Sequence, residues 1–426
     1  MGNLKKIILF LAAFAVTSTS VIASDAALRS LTAQLRSQGR DFYIGCAVPS
    51  NFSSADQTIV RTEFDIVTCE NDMKIGTISP SRGQYNYGGG DNLVNFARTN
   101  NMVFHGHCFI WHKYLPGWVD GTKSTMDTYI ANVGAHFKGK IYVWDVVNEA
   151  FHRDGTYRIN SIGSGGQDGA SIWAQKQGKQ YIEDALRDAY AADPSAKLMY
   201  NDYAIETNDA KFNGMYAMLQ DFKNRGVPIH GVGFQLHVNP DFTEAMAQGF
   251  AVKMQKVADL GLESYVTEMD GGAPDTSTAG LEKQAQIYYW VAKACVEQPM
   301  CRALQVWGIR DGQSWRNNPD DPVDRAVAPL IFNDNGGKKP AYYAIQRALE
   351  EALSSPTPTP AAGTLGDVNG NGTVDIADAL FIAQYYVGMS PSPFIAANAD
   401  TSRDGVIDIV DALKVAQYYV GLIPGF

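Results

Sequence analysis

The chain is poor in the residues that build metal centres. Its 426 residues include five cysteines and seven histidines, and no Cys/His spacing resembles a zinc site. It also lacks an excess of basic charge: 35 Lys and Arg stand against 45 Asp and Glu, a formal net charge of -10. That balance argues against nucleic acid or an anionic membrane as the main partner. It leaves a neutral substrate such as a glycan open. No G-x-G-x-x-G follows a strand-like run, so nothing supports a nucleotide site. Beyond residue 23 no stretch is long and apolar enough to span a membrane.

What is present at the start is an export signal. Lys5 and Lys6 precede an apolar run over 7–16, followed by Thr/Ser-rich residues and Val21-Ile22-Ala23. This is the three-part pattern of a secretory signal peptide over 1–23, cleaved near Ala23, and it predicts a secreted protein. Exported proteins can form disulfides. Cys295 and Cys301, either side of Gln298-Pro299, are the candidate pair. Cys69 and Cys108 sit in strand-like runs and read as buried thiols.

A Pro/Thr linker, SSPTPTPAAGT over 354–364, divides the chain. Such a composition favours an extended spacer. It separates a large body, 24–353, from a small module, 365–426. The large body alternates strand-like and helical patterns. Eight apolar runs occur at 42–48, 65–71, 102–112, 141–149, 197–203, 230–238, 263–270 and 303–311. Between them lie helical patterns such as 179–192, with Tyr181, Ile182, Ala185, Leu186 and Ala189 on one face. Near-continuously apolar strands alternating with helices predict a parallel sheet. Eight such units match an α/β fold of the (β/α)8 TIM barrel type, with an open doubly wound sheet as the alternative.

Active sites of such barrels lie at the C-terminal ends of the strands. Those ends here carry Glu70-Asn71, His107, Asn148-Glu149, Asn201-Asp202, Gln235 and His237, Glu268 and Asp270, and Trp307 with Asp311. Glu149 and Glu268 close the runs VVNE and VTEMD. Paired carboxylates across a barrel mouth suit glycoside hydrolysis, one protonating the leaving oxygen and the other attacking or activating water. Either glutamate alone reads equally as part of an ion pair. His105 reads as a core residue, His136 and His152 as loop or surface residues, and Trp144, Trp173 and Trp290 as core packing. Asp202 and Glu206 read as structural, and Asp270 as a partner that orients His237.

WDVVNEA (144–150) and VTEMD (266–270) resemble the acid/base and nucleophile strands of glycoside hydrolase family 10, the endo-β-1,4-xylanases. CENDMK (69–74), GHCFIWH (106–112), QLH (235–237) and WGIRDGQSW (307–315) resemble further motifs of that family, in order. The resemblance implies a retaining endo-hydrolysis of β-1,4-xylosidic bonds in xylan and xylo-oligosaccharides, with Glu149 as general acid/base and Glu268 as nucleophile. It implies substrate contacts from Glu70, Asn71, Lys74, His107, Trp111, Asn148, Gln235, His237, Trp307 and Trp315. It also implies a Cys295–Cys301 disulfide and no cofactor for catalysis. The family usually has Trp after the second-strand lysine, where this chain has Ile75, and that departure bears on selectivity. A β-1,4-glucanase of related barrel type is the alternative enzyme, and a glycan-binding or scaffold protein the alternative without catalysis. The chemistry requires the Glu149 pKa to be raised and Glu268 to stay ionised, with His237 and Gln235 as the candidate donors to Glu268.

The small module repeats at a period of 33 residues: 367–388 and 400–421. Each segment opens like a calcium loop, with oxygen ligands at Asp367, Asn369, Asn371, Asp375 and Asp378, and at Asp400, Ser402, Asp404, Asp408 and Asp411. Thr373 and Val406 would supply backbone carbonyls. The loops imply two structural calcium ions. Position 12 is Asp rather than Glu, and no helical pattern precedes the first loop. A duplicated loop-then-helix of this kind resembles the dockerin module. That resemblance implies a cohesin partner on a scaffold or cell surface. The expected whole is an exported monomer without a membrane span in its mature form.

Overall fold

The computed structural model describes residues 26–162, 169–317, 325–354, 365–389, 391–404, 406–423 and 425–426. The expected signal peptide over 1–23, and the linker apart from Ser354, lie outside the described residues. The chain divides into two compact units, the second being Glu351–Phe426.

Nine parallel strands run through the first unit. They are β1 (Tyr43–Val48), β2 (Ile66–Cys69), β3 (Val103–Ile110), β4 (Val143–Asn148), β5 (Lys197–Asp202), β6 (Gly231–Phe234), β7 (His237–Val238), β8 (Glu263–Gly271) and β9 (Cys301–Val306). Each of β1 to β5 pairs with its successor. β6 then pairs with β8, β8 with β9, and β9 with β1, which closes a ring of eight. The (β/α)8 barrel expected from the rhythm of the sequence is the fold observed. Residues along the strands are almost all buried because the barrel interior covers one face and the helices cover the other. Ile66, Val143, Met199, Tyr265 and Ala303 pack together near the strand starts. The interior there is a filled core, and a cleft can open only at the other end.

The helices begin where the sequence supplies caps. Ser53, Thr122, Asn208, Thr243 and Ser277 each accept a backbone N–H three residues on, satisfying a donor that the first turn leaves free. The helix Gln180–Ala192 buries the apolar face expected for it, and its successor Asp193 leaves the helical conformation ahead of Pro194.

The sixth run departs from the expected single strand. It splits into β6 and the two-residue β7 because Leu236 adopts a left-handed φ of +62°. A non-glycine residue holds that conformation at some cost. The result is that Gln235 and His237 both reach the strand ends around the cleft.

The second unit is small and helical among its described residues. Helices Ile376–Tyr386 and Ile409–Tyr419 pack around Val368, Ala379, Ile382, Ala399, Ala412 and Val415.

Candidate active site

The chain leaves β4 in a sharp turn. Glu149 has φ +57°, and the turn is fixed from three sides. Its N–H donates to Asn201 O at 2.9 Å, its carbonyl accepts from the buried Arg158 Nε at 2.8 Å, and the next N–H donates to Tyr200 Oη at 2.9 Å. This turn delivers the Glu149 carboxyl into a cavity of about 490 Å³ at the C-terminal ends of the strands. Glu268, from within β8, lines the same cavity. So do Glu70, Asn71, Lys74, His107, Trp111, Asn148, Gln235, His237, Trp307 and Trp315, which brings together every residue expected to contact substrate, while the strand-end residues Asn201, Asp202, Asp270 and Asp311 lie outside the lining.

Side-chain amides link the two glutamates. Gln235 Nε2 donates to Glu149 Oε1 and to Asn148 Oδ1, both at 3.2 Å. Asn201 Nδ2 donates to Asn148 Oδ1 at 2.9 Å and to Glu268 Oε1 at 2.8 Å. Thr267 Oγ1 donates to Asn201 Oδ1 at 2.7 Å and orients that amide. Gln235 therefore serves Glu149, not Glu268 as expected, and Asn201 takes the place assigned to it. Asn201 ends β5 just as Asn148 ends β4, so its position at a strand end was the available signal. Asn201→Ala is expected to lower kcat about 10- to 100-fold, since a hydrogen bond to a charged group contributes roughly 1.5–3 kcal/mol. Steady-state kinetics on xylo-oligosaccharides measure this.

The other donor to Glu268 is His237. Its Nε2 lies 3.2 Å from Glu268 Oε2 and its Nδ1 2.9 Å from Asp270 Oδ1. Asp270 orients His237 as expected, and is itself held by Arg316 Nη1 at 2.9 Å and Trp315 Nε1 at 2.8 Å. Burial opposes charging of His237, but Asp270 and Glu268 outweigh it and raise its pKa from 6.5 to about 10. An imidazolium there offers the Glu268 carboxylate a charge-assisted hydrogen bond. The sign follows directly. The folded protein binds this proton more tightly, so the stabilisation is full below 6.5 and gone once pH passes about 10. The Tm difference between wild type and His237→Asn should be widest below pH 6.5 and close toward pH 10, as thermal scans across that range would read.

Glu149 differs from expectation. Burial pushes its carboxyl up, but Lys113, His112 and Lys211 pull it down to about 2. The Trp111 side chain, a hydrogen-bond donor to this carboxyl, adds to the same pull. Burial and the nearby cations lower the His112 pKa from 6.5 to about 3, leaving a neutral imidazole with neither ring nitrogen partnered. The open cleft thus holds Glu149 ionised.

On the β2–β3 side, Lys74 Nζ donates to Asn71 Oδ1 at 2.8 Å. It lies 5.1, 4.9 and 5.9 Å from the ring centres of Trp111, Tyr114 and Trp307. The wall around Lys74 is aromatic although Ile75 replaces the tryptophan of the resemblance. Ile75 is buried away from the cleft, and the exposed Tyr114 supplies the ring. Gly76 permits this, since a Cβ there would lie 2.5 Å from Tyr114 O. His107 Nδ1 donates to Asp145 Oδ2 at 2.8 Å, and His105 Nε2 lies 3.0 Å from the same oxygen. Trp173, in the core as expected, donates to Trp111 O at 2.9 Å. Asp202 forms a fully buried ion pair with Lys211 at 2.7 Å. Tyr114, Tyr203, Lys113 and Arg153 also line the cleft. They lie in loops, where no strand periodicity marks them.

The Glycosyl hydrolase family 10 model matches residues 30–348. The chain belongs to glycosyl hydrolase family 10. The family 10 domain is 38% identical over 345 residues to endo-1,4-beta-xylanase B of Thermotoga neapolitana, which spans 78% of this chain and 94% of that relative. It is 33% identical over 335 residues to endo-1,4-beta-xylanase 3 of Hypocrea jecorina, spanning 76% and 87%. Xylanase 10B from Thermotoga maritima superposes with a TM-score of 0.70 at 37% identity, covering 78% of this chain and 100% of that one. Residues 365–419 match the Dockerin type I domain.

Two readings made outside the cleft need correction. Cys295 and Cys301 interact as neighbours, but both stand as buried free thiols and the expected disulfide is not formed. Cys301 Sγ is directed along its own strand toward Ala303 O at 3.8 Å. Burial raises the Cys295 thiol, which keeps it in its unreactive form. His152 lies in a loop, one of the two places expected for it, but not at the surface: it is fully buried, with Nε2 2.8 Å from Asn160 O. His136 lies half-buried on a helix against Asp91 and stacks on Tyr87. Among the described residues no helix is long and apolar enough to cross a membrane.

In the second unit Asp378 Oδ1 accepts from Val368 N and Asn369 N at 2.9 and 3.0 Å, and its Oδ2 from Asp375 N at 2.9 Å. Asp411 repeats this with Ser402 N and Asp408 N at 2.7 and 2.8 Å. Both form capping boxes with Asp375 and Asp408. Position 12 therefore clasps the two ends of each loop, and an aspartate is short enough to do so. Asp367 accepts from the N–H groups of Gly370, Asn371 and Gly372, and Asn371 Oδ1 from Thr373 N. Asp400 accepts from Asp404 N, and Asp404 from Val406 N. Burial raises the Asp378 pKa, and the neighbouring Asp367 adds to this. Among the described residues no three His, Cys, Asp or Glu side chains converge on one point. The donors in each loop are all oxygens, which fits calcium rather than a softer metal.

Proposed function

We propose that this chain is an exported, monomeric endo-β-1,4-xylanase that cleaves internal bonds of xylan and xylo-oligosaccharides with retention, and that its C-terminal module docks on a cohesin when calcium is bound. The observation that carries the enzymatic reading is the pair Glu149 and Glu268 in one cleft, bridged by Gln235, Asn148 and Asn201. Glu268, oriented by hydrogen bonds from Asn201 and His237, attacks the anomeric carbon. Glu149 protonates the departing glycosidic oxygen, then takes a proton from water as the glycosyl-enzyme is hydrolysed. Asn148 accepts from both bridging amides, and its own amide nitrogen is left to donate to a sugar hydroxyl. Glu149, held ionised in the open cleft, carries no proton to donate near neutrality, so its pKa must rise in the substrate complex before it can act as the acid.

The kinship with endo-1,4-beta-xylanases favours xylan as substrate. One relative, from Acetivibrio thermocellus, is named Exoglucanase XynX at 34% identity over 338 residues, which keeps a β-1,4-glucanase as the second reading. Parallel assays on xylan and carboxymethylcellulose separate the two. Proton NMR of the first-formed product should show the β anomer, and an initial α anomer would sink the double displacement. Docking is supported by matched exposed side chains on the two helices: Ile376 and Ile409, Leu380 and Leu413, Tyr386 and Tyr419. Their equivalence across the repeat offers a partner two similar apolar faces.

A further inference from the structure

Two cations line the cleft from neighbouring loops, and Lys113 is near enough to Glu149 to pull its carboxyl down. Lys113, from the loop after β3, and Arg153, from the loop after β4, both line the cleft. Among the described residues neither makes an ion pair. Lys113 Nζ lies 5.6 Å from the ring centre of Trp111, and the Arg153 guanidinium 5.5 Å from that of Tyr203. Each rests on an aromatic ring lining the cleft, with its head group outside any direct ion pair among the described residues. The other cations of the cleft are committed: Lys74 to Asn71, His237 to Glu268 and Asp270, and Arg316 to Asp270. The exposed anion on the wall, Asp241, follows β7 rather than β3 or β4.

An unsubstituted β-1,4-linked xylose chain carries hydroxyls and ether oxygens but no charge. It gives these two cations nothing to pair with. We propose that Lys113 and Arg153 form a carboxylate-recognition site beside the acid/base, selecting xylan that bears uronic acid branches. This rests on the xylanase reading and names the substrate class that the same cleft prefers. The lysine offers a mobile point charge and the arginine a planar fork of donors, and both suit a carboxylate. The site also couples to the chemistry. A branch carboxylate on Lys113 would offset one of the charges that hold Glu149 ionised in the open cleft.

The test compares kcat/KM on a linear xylo-oligosaccharide and on one of equal backbone length with a single uronic acid branch. Wild type, Lys113→Met, Arg153→Met and the double variant are measured at low and high salt. The ratio between the two substrates does not depend on how much of a variant is folded. Wild type should favour the acidic substrate, and the double variant should lower that ratio about three- to fivefold, the scale of a solvent-exposed ion pair. Added salt should erase the wild-type preference. The basic limb of the kcat–pH profile should lie higher on the acidic substrate in wild type but not in Lys113→Met. Equal losses on both substrates, or a ratio insensitive to salt, would overturn the proposal while leaving the xylanase reading intact. A wild type inert on the neutral oligomer as well would overturn the xylanase reading itself.

Discussion

Glu268→Ala should lower kcat by about four orders of magnitude or more, since removal of a nucleophile deletes the covalent step rather than weakening it. Folding should be preserved, because Asn201 and Thr267 remain to hold the end of β5 against β8. Removing the carboxylate leaves His237 with Asp270 as its acidic partner and leaves a space beneath the anomeric carbon. Azide is small enough to enter that space, and attack from the vacated face with departure of an activated leaving group gives an α-glycosyl azide. An α-glycosyl azide from this variant, identified by NMR, would assign the nucleophile by stereochemistry. A β-glycosyl azide, or near-normal hydrolysis, would remove Glu268 from that role. Glu149→Ala with azide should give the opposite β product, because there the covalent intermediate still forms and azide takes the place of water.

Chelation of calcium is the second large effect expected. Among its described residues the module fully buries Val368, Ala379, Ile382, Ala399, Ala412 and Val415, with half-buried residues such as Phe381, Phe394 and Phe426 packed against them. A unit this small gains little from apolar burial alone. Calcium at about a thousand times its Kd would add about 4 kcal/mol, comparable with the entire stability of such a module. Calorimetry of the full chain with EDTA should therefore lose one transition, assigned to the module, while the barrel transition stays where it was. Restoration by calcium and not by magnesium would match the flexible all-oxygen loops. An unchanged profile with EDTA would remove calcium from the account. The capping boxes at Asp375 and Asp408 would then hold the helix starts on their own.

The chain order of the barrel was legible because parallel strands covered on both faces read as continuous apolar runs, and helices between them as 3.6-residue periods. The ring closure itself followed only from counting eight such units. The pairings β6–β8 and β9–β1 establish it. The break at Leu236 was not legible, since an apolar residue inside an apolar run carries no sign that its φ is positive. In the cleft the strand-end residues were legible, but Tyr114, Lys113 and Arg153 were not. Loops have no period, and their side chains acquire a role only when folding brings them to the mouth.

By itself the sequence determined the composition of this site: two glutamates, their amide and imidazole neighbours, and the strand ends that present them. It determined as much for the module, where a repeat of oxygen-bearing side chains marks each loop. The tertiary structure alone decided who bonds to whom. It gave Gln235 to Glu149 and Asn201 to Glu268, and it left Cys295 and Cys301 as separate thiols. It also reversed the expected direction of the Glu149 pKa, because the field at a carboxyl is a sum over charges in space. Lys113, His112 and Lys211 come from two distant segments of the chain, and their spacing in sequence says nothing of their distance from that group.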